Sequence, residues 1–270
     1  MMTRTALAAA VLSIGLTSPS RAQLAIRLDL ECASILQFEQ IEAVLTVQNT
    51  SRTPLVIMPG DKQNNATLRF LIERKRFQPL AKVDKRPLVE KLVVRPDKTQ
   101  KVALDLSQWY TMGKVGRYIV RAEIEWGTKT HKSNAVMVDV VRGLELVTLR
   151  RDVPGANSGR RTYTLRYWSR ARSEQLFLCV DDEEAGLNYG VFRLGPIIRL
   201  KKPYMKIDAQ GYVTVLHQSG PDRFTRSGLR SSRNGVTFIG QAFELEDGKP
   251  YPVRPELPLV EPPVEKDAAR

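Results

Sequence analysis

Histidine and cysteine are almost missing from this sequence, with two of each in 270 residues. Only His131 and His217 could titrate near neutrality without a perturbed pKa, so acid–base chemistry has few carriers. There is no His-Glu-x-x-His pair, no Gly-x-Ser-x-Gly elbow, no phosphate-cradling glycine loop and no Cys-x-x-Cys. These absences remove the usual zinc, serine-hydrolase, nucleotide and dithiol signatures, and no cofactor is expected. No segment approaches 18 apolar residues, which argues against a transmembrane helix in the mature chain. Amphipathic helical periodicity is lacking as well.

What is present begins with an export signal. Arg4 supplies a positive start, Ala6 to Leu16 an apolar stretch, and Ser20-Arg21-Ala22 a small-x-small cleavage site, so residues 1–22 read as a secretory signal peptide. The product is expected to be periplasmic or secreted. No lipid-anchoring cysteine follows the apolar stretch. Removing residues 1–22 leaves 40 basic against 29 acidic residues, a net of +11. Residues 51–102 hold 13 Lys/Arg against 5 Asp/Glu, while 244–270 hold 4 against 7. A basic body attracts polyanions, and after export these are envelope polysaccharides or acidic head groups rather than nucleic acid. A merely solvated basic surface is the plainer alternative. Cys32 and Cys179 could pair in an oxidising compartment, but both sit in apolar strand patterns, which favours two separate core thiols.

Period-two alternation runs from residue 24 to about 243, so the fold class is all-β. Leu24–Cys32, Ile41–Asn49, Leu55–Met58, Leu68–Glu73, Phe77–Lys82, Leu88–Val94, Thr99–Leu106, Arg117–Trp126 and Ser133–Val141 make nine short strands, the spacing of a β-sandwich. Val47-x-Asn49-x-Ser51-x-x-Pro54-Leu55 followed by Gly116-x-Tyr118-x-Val120-x-Ala122 resembles bacterial Ig-like and fibronectin-III-like domains. The resemblance covers residues 24–142. It implies an Ig-like sandwich with Tyr118 as a tyrosine corner, its hydroxyl bonding back to the preceding loop. The chain departs from antibody-type domains in having no cysteine after Tyr118. The resemblance implies no particular activity.

Gly143 marks the expected boundary. The resulting organisation is a signal peptide (1–22), an Ig-like sandwich (23–142), a second β-rich domain, sandwich or meander (143–249), and a proline-rich, charged tail (250–270) that is expected to be poorly ordered. In the second domain, strands are expected over Thr162–Ser169, Gln175–Asp181, Tyr189–Leu194, Ile197–Leu200, Tyr204–Ile207, Tyr212–Gln218 and Gly235–Phe243. Asp208-Ala209-Gln210-Gly211 forms a turn.

Three clusters could carry chemistry. Cys179 with His217 could form a thiol hydrolase in the second domain, but nothing in their spacing shows a thiolate or an adjacent base. Asp181-Asp182-Glu183-Glu184 could hold calcium, although the run lacks alternating ligand spacing and reads better as a solvated loop, so no metal site is assigned. Arg166, Trp168, Arg170 and Arg172 place an aromatic among guanidinium groups, which could stack on a sugar while contacting acidic substituents. Core packing of Trp168 is the competing reading. The function expected from the sequence is an exported, non-enzymatic binding or adhesion-type module for an acidic polysaccharide or an envelope protein. The alternatives are a structural accessory protein that pairs strand to strand in an envelope assembly, and a hydrolase.

Overall fold

The computed structural model describes residues 23–59, 66–74, 78–153, 159–170, 173–182 and 184–252. Residues 1–22, read from the sequence as an export signal, Arg172, Glu183 and all but the first residues of the tail therefore lie outside the described residues.

Up to Val141 the chain forms β1 (Leu24–Leu30), β2 (Ser34–Leu36), β3 (Glu42–Asn49), β4 (Leu55–Ile57), β5 (Ala66–Arg74), β6 (Gln78–Pro79), β7 (Leu92–Val94), β8 (Thr99–Asp105), β9 (Gly116–Trp126), β10 (Lys129–Lys132) and β11 (Val136–Val141). One sheet runs β1-β3-β8 and the facing one β2-β11-β9-β5-β6, with β10 on β9 and a small β4–β7 ribbon beside them. Side chains alternate across each pleat. Leu24 and Leu28 of β1, Ala43, Leu45 and Val47 of β3, and Tyr118, Val120, Ala122 and Ile124 of β9 therefore meet in one core. Asn49 shows why the turn after β3 needs its polar residues. Its buried amide donates to the carbonyls of Thr53 at 2.8 Å and Val94 at 2.9 Å, while its own oxygen accepts the Ser51 N–H. The Tyr118 hydroxyl donates to the Lys114 carbonyl at 2.8 Å, four residues upstream.

From Leu144 the chain forms β12 (Leu144–Asp152), β13 (Arg160–Arg170), β14 (Ser173–Asp182), β15 (Leu187–Pro196), β16 (Tyr204–Ile207), β17 (Tyr212–Gln218), β18 (Phe224–Ser232) and β19 (Gly235–Glu244). These are two four-stranded antiparallel meanders, β12-β13-β14-β15 and β16-β17-β18-β19. They pack face to face around Tyr163, Leu165, Leu176, Leu178, Val213, Val215 and Leu229. The molecule is all-β, built of sandwiches.

Several strands depart from the sequence-based expectation. Ile197–Leu200 is not a strand; Ile197 N–H and Ile198 N–H instead donate to Glu174 and Gln218, tying a loop to both sheets. Of the stretch predicted over Phe77–Lys82, whose first residue lies outside the described residues, Gln78–Pro79 is a strand and 80–82 is not, and the stretch over Leu88–Val94 shrinks to Leu92–Val94. Strands β2, β10, β12 and β18 were not anticipated. For β18 the reason is chemical: three of its inward positions are Thr225, Ser227 and Ser231, buried hydroxyls that break the apolar alternation. Each is satisfied inside. Ser231 Oγ accepts from Arg161 Nη1 at 2.8 Å and the Tyr163 hydroxyl at 2.6 Å, Ser227 accepts from Gln241, and Thr225 bonds Ser219.

Candidate functional site

The even-numbered side chains of β13 face away from the second core, toward the N-terminal half. Trp168 donates its indole N–H to Ser34 Oγ of β2 at 2.9 Å. It packs with Leu36, Phe177, Cys179, Val141 and Val191 in a small apolar cluster of its own. Arg170, with a side chain only 9% exposed, is ion-paired to the equally buried Glu39. It also donates to Cys32 Sγ at 3.5 Å and lies 5.0 Å from the Phe177 ring centroid. Arg166 bonds Glu145 of β12 at 2.8 Å, with its Nε buried and without a partner. The structure thus brings Arg166, Trp168 and Arg170 onto one face, as strand spacing dictates. Trp168 and Arg170 are taken up by the junction between the two halves, whereas Arg166 lines an opening beside it.

That opening belongs to a groove centred on Phe38. Three adjoining clefts of about 300, 380 and 410 Å³ all have Phe38 in their walls. The first is lined by Arg142, Arg166, Glu145, Asp181 and Asn188 with Cys179 at its floor. The second adds Tyr110, Thr111 and Leu187, and the third Arg74, Leu80 and Lys114. Phe38 sits in the turn between β2 and β3 with φ +62°, a left-handed conformation rare for a bulky residue, and its side chain stays 40% exposed. Such backbone costs roughly 1–3 kcal/mol and persists only where the surroundings enforce it. The enforcement is visible. Gln37 N–H donates to Val141, Gln37 Nε2 to Gly113, and Glu39 N–H to Leu36. The Glu39 carboxylate accepts the Leu36 N–H at 2.8 Å. The Phe38 ring lies where a Cβ at Gly113 would be, so any larger residue there would have to displace the ring.

Electrostatics leave the thiols near this groove unreactive. Burial pushes the Cys179 thiol up to about 12, more than Arg166 can offset, so it remains protonated and a poor nucleophile. Cys32 is shifted the same way by burial. Both thiols are free. His217 projects with Val213 and Val215 into the second core, whereas Cys179 lies on the opposite face of β14 from core residues Leu178 and Val180. The sheet itself separates the two groups, so they do not form a dyad. Asp181 holds the Asn188 amide at 2.7 Å and Asp182 the Ala185 N–H at 2.9 Å. Among the described residues no three His, Cys, Asp or Glu side chains converge on a common metal position.

Around the groove, Arg74, Lys114 and Arg142 have no carboxylate partner among the described residues, while Glu145 is engaged by Arg166 and Glu39 by Arg170. Sequence reasoning reached Arg166 but missed Phe38, Arg142 and Asn188. The one signal for Phe38 was an aromatic inside the polar turn Gln37–Gln40.

No protein-family model and no curated protein matches this sequence. Among solved structures the chain is similar to Spo0M, the sporulation control protein of Bacillus subtilis. The two are 10% identical over 62% of this chain and 83% of that one, with a TM-score of 0.30, a likeness too slight to carry an argument about fold or function.

Proposed function

We propose that this chain is an exported, non-enzymatic binding protein that holds an acidic polysaccharide in the groove around Phe38. The observation that carries this reading is the strained, exposed Phe38 ring set among Arg74, Lys114 and Arg142, cations without carboxylate partners among the described residues. A flat aromatic offers an apolar surface to a sugar ring, and the guanidinium and ammonium groups meet its carboxylates. The signal-like residues 1–22 support export. The Tyr118–Lys114 hydrogen bond and the parallel pairing of β2 with β11 support kinship of the N-terminal half with Ig-like domains.

Binding of polygalacturonate to the full mature chain, followed by titration calorimetry, tests the proposal. Phe38→Gly suits the left-handed backbone while removing the ring, so it is expected to weaken binding about tenfold without lowering the melting temperature. Arg142→Glu is expected to do the same, and affinity should fall steeply as salt rises. Affinity unchanged in both variants, or indifferent to salt, would refute the groove as the site.

A further inference from the structure

The outer face of the β16-β17-β18-β19 sheet carries a second set of aromatic and basic side chains, remote in chemistry from the junction. Met205, Ile207, Val213, Val215 and Leu229 point into the core, so the alternate positions stand outside. Strand register arranges these outer residues in three rows. Tyr204, Leu216, Arg226 and Ala242 pair across one row; Lys206, Thr214, Gly228 and Gly240 across the next; Tyr212, Arg230 and Thr237 across the third.

The middle row is the low one. Gly228 and Gly240 are neighbours at its β18–β19 end; a Cβ at Gly240 would meet nothing within 4 Å, and one at Gly228 would touch only the exposed Ile239 of the bulge, at 3.9 Å, and the Gly240 carbonyl. Rows two residues apart are separated by about 7 Å, so the flanking rows stand about 13 Å from each other, and the floor between them carries Lys206 and Thr214 at one end and the two glycines at the other. Tyr204 and Tyr212 are both exposed, at opposite sides of this trough. Arg230 lies 5.3 Å from the Tyr212 ring centroid, and neither it nor Lys206 has a carboxylate partner among the described residues. Arg226 is neutralised by Glu244 at 2.8 Å.

We propose that this trough is a second binding face, independent of the Phe38 groove, for a linear carboxylated polysaccharide. The polymer lies across the strands on the glycine floor, with sugar faces against the two tyrosines and carboxylates toward Lys206 and Arg230. Charge complementarity selects the occupant: the uncompensated groups on this face are cations, and the absence of side chains at Gly228 and Gly240 gives a chain of flat rings close access to the sheet. With both faces occupied, one molecule would bridge two polymer segments, and avidity on a long polymer would exceed the affinity of either face.

The test is calorimetric stoichiometry on the full mature chain with a short galacturonate oligomer. Gly240→Val fills the floor without a steric clash and adds a β-branched residue to a strand, so stability is expected to be kept while the face is blocked. Wild type is expected to bind two equivalents. Gly240→Val, or Tyr212→Ala with Arg230→Ala, should bind one, and Phe38→Gly with Arg142→Glu should bind the other one. Two equivalents retained at unchanged affinity in both trough variants would overturn the second face, as would a wild type that binds no oligomer at all. A groove variant that still binds while the trough variants do not would instead refute the groove and leave the trough standing.

Discussion

His217 is a buried base with a single hydrogen bond. Its Nε2–H donates to the Pro196 carbonyl at 3.2 Å and its Nδ1 has no partner, so the ring is neutral. Burial is the main cause of its pKa falling from 6.5 to about 4, with the Pro196 carbonyl opposing. A base whose pKa is depressed on folding binds its proton more weakly in the native state. Its contribution to stability is complete above pH 6.5 and is lost as pH falls toward 4, a total of roughly 3 kcal/mol. Urea midpoints measured between pH 7.5 and 4.5 should therefore drop more steeply in wild type than in His217→Gln. Equal slopes would show that the ring does not titrate in this window. Phe38 makes a different point at the same scale. Neither its role nor its left-handed backbone was legible in the sequence, because the contacts that enforce it come from Val141 and Gly113, distant along the chain.

Among elements, the β18–β19 hairpin is tied to β13 by Arg161 and Tyr163, and Arg161 makes the greater number of contacts. The Arg161 side chain is fully buried. Its Nη1 donates to Ser231 Oγ and the Ser232 carbonyl, both at 2.8 Å, and its guanidinium carbon lies 3.6 Å from the centroid of the Tyr189 ring. Charged hydrogen bonds to groups shielded from water contribute more than neutral ones. Arg161→Met is expected to cost roughly 3 kcal/mol in chemical denaturation. Arg161→Lys should recover little of it, because an ammonium cannot stack flat on the Tyr189 ring and lacks the second nitrogen, Nη2, that reaches the Arg233 carbonyl. A loss under about 0.5 kcal/mol in both variants would mean that the hairpin closes without this contact. Period-two apolar alternation disclosed β1, β3, β9, β14 and β17, where one or both faces are packed with hydrophobic side chains. It could not disclose β18, whose buried hydroxyls look like a polar loop until Arg161, Tyr163 and Gln241 are seen to satisfy them.

For the whole molecule, the junction couples the halves. It combines the Leu36–Trp168–Phe177 apolar cluster with the buried Arg170–Glu39 pair and an Arg193–Glu31 pair at 3.2 Å. At Gly143, φ is +70° and the Leu36 side chain and Tyr167 carbonyl crowd the position of a Cβ, so the chain turns sharply between the sandwiches. Calorimetric melting of the intact chain is expected to show one cooperative transition. Leu36→Asp, which buries an unpaired carboxylate in the cluster, should split it into two. Two transitions already in wild type would show that the halves melt independently.

The sequence by itself determined the all-β class, the phase of the main strands and the common face of Arg166, Trp168 and Arg170, because alternation and spacing along one strand depend only on local geometry. Only the tertiary structure decided what that face meets. Whether an arginine beside a tryptophan reaches solvent or a buried glutamate depends on Ser34 and Glu39, more than 100 residues upstream. The same holds for the separation of Cys179 from His217 and for the pairing of Gly228 with Gly240 in the row between those of Tyr204 and Tyr212. Each is set by which sheet a strand joins and in which register, and those pairings are made by residues that no local pattern places side by side.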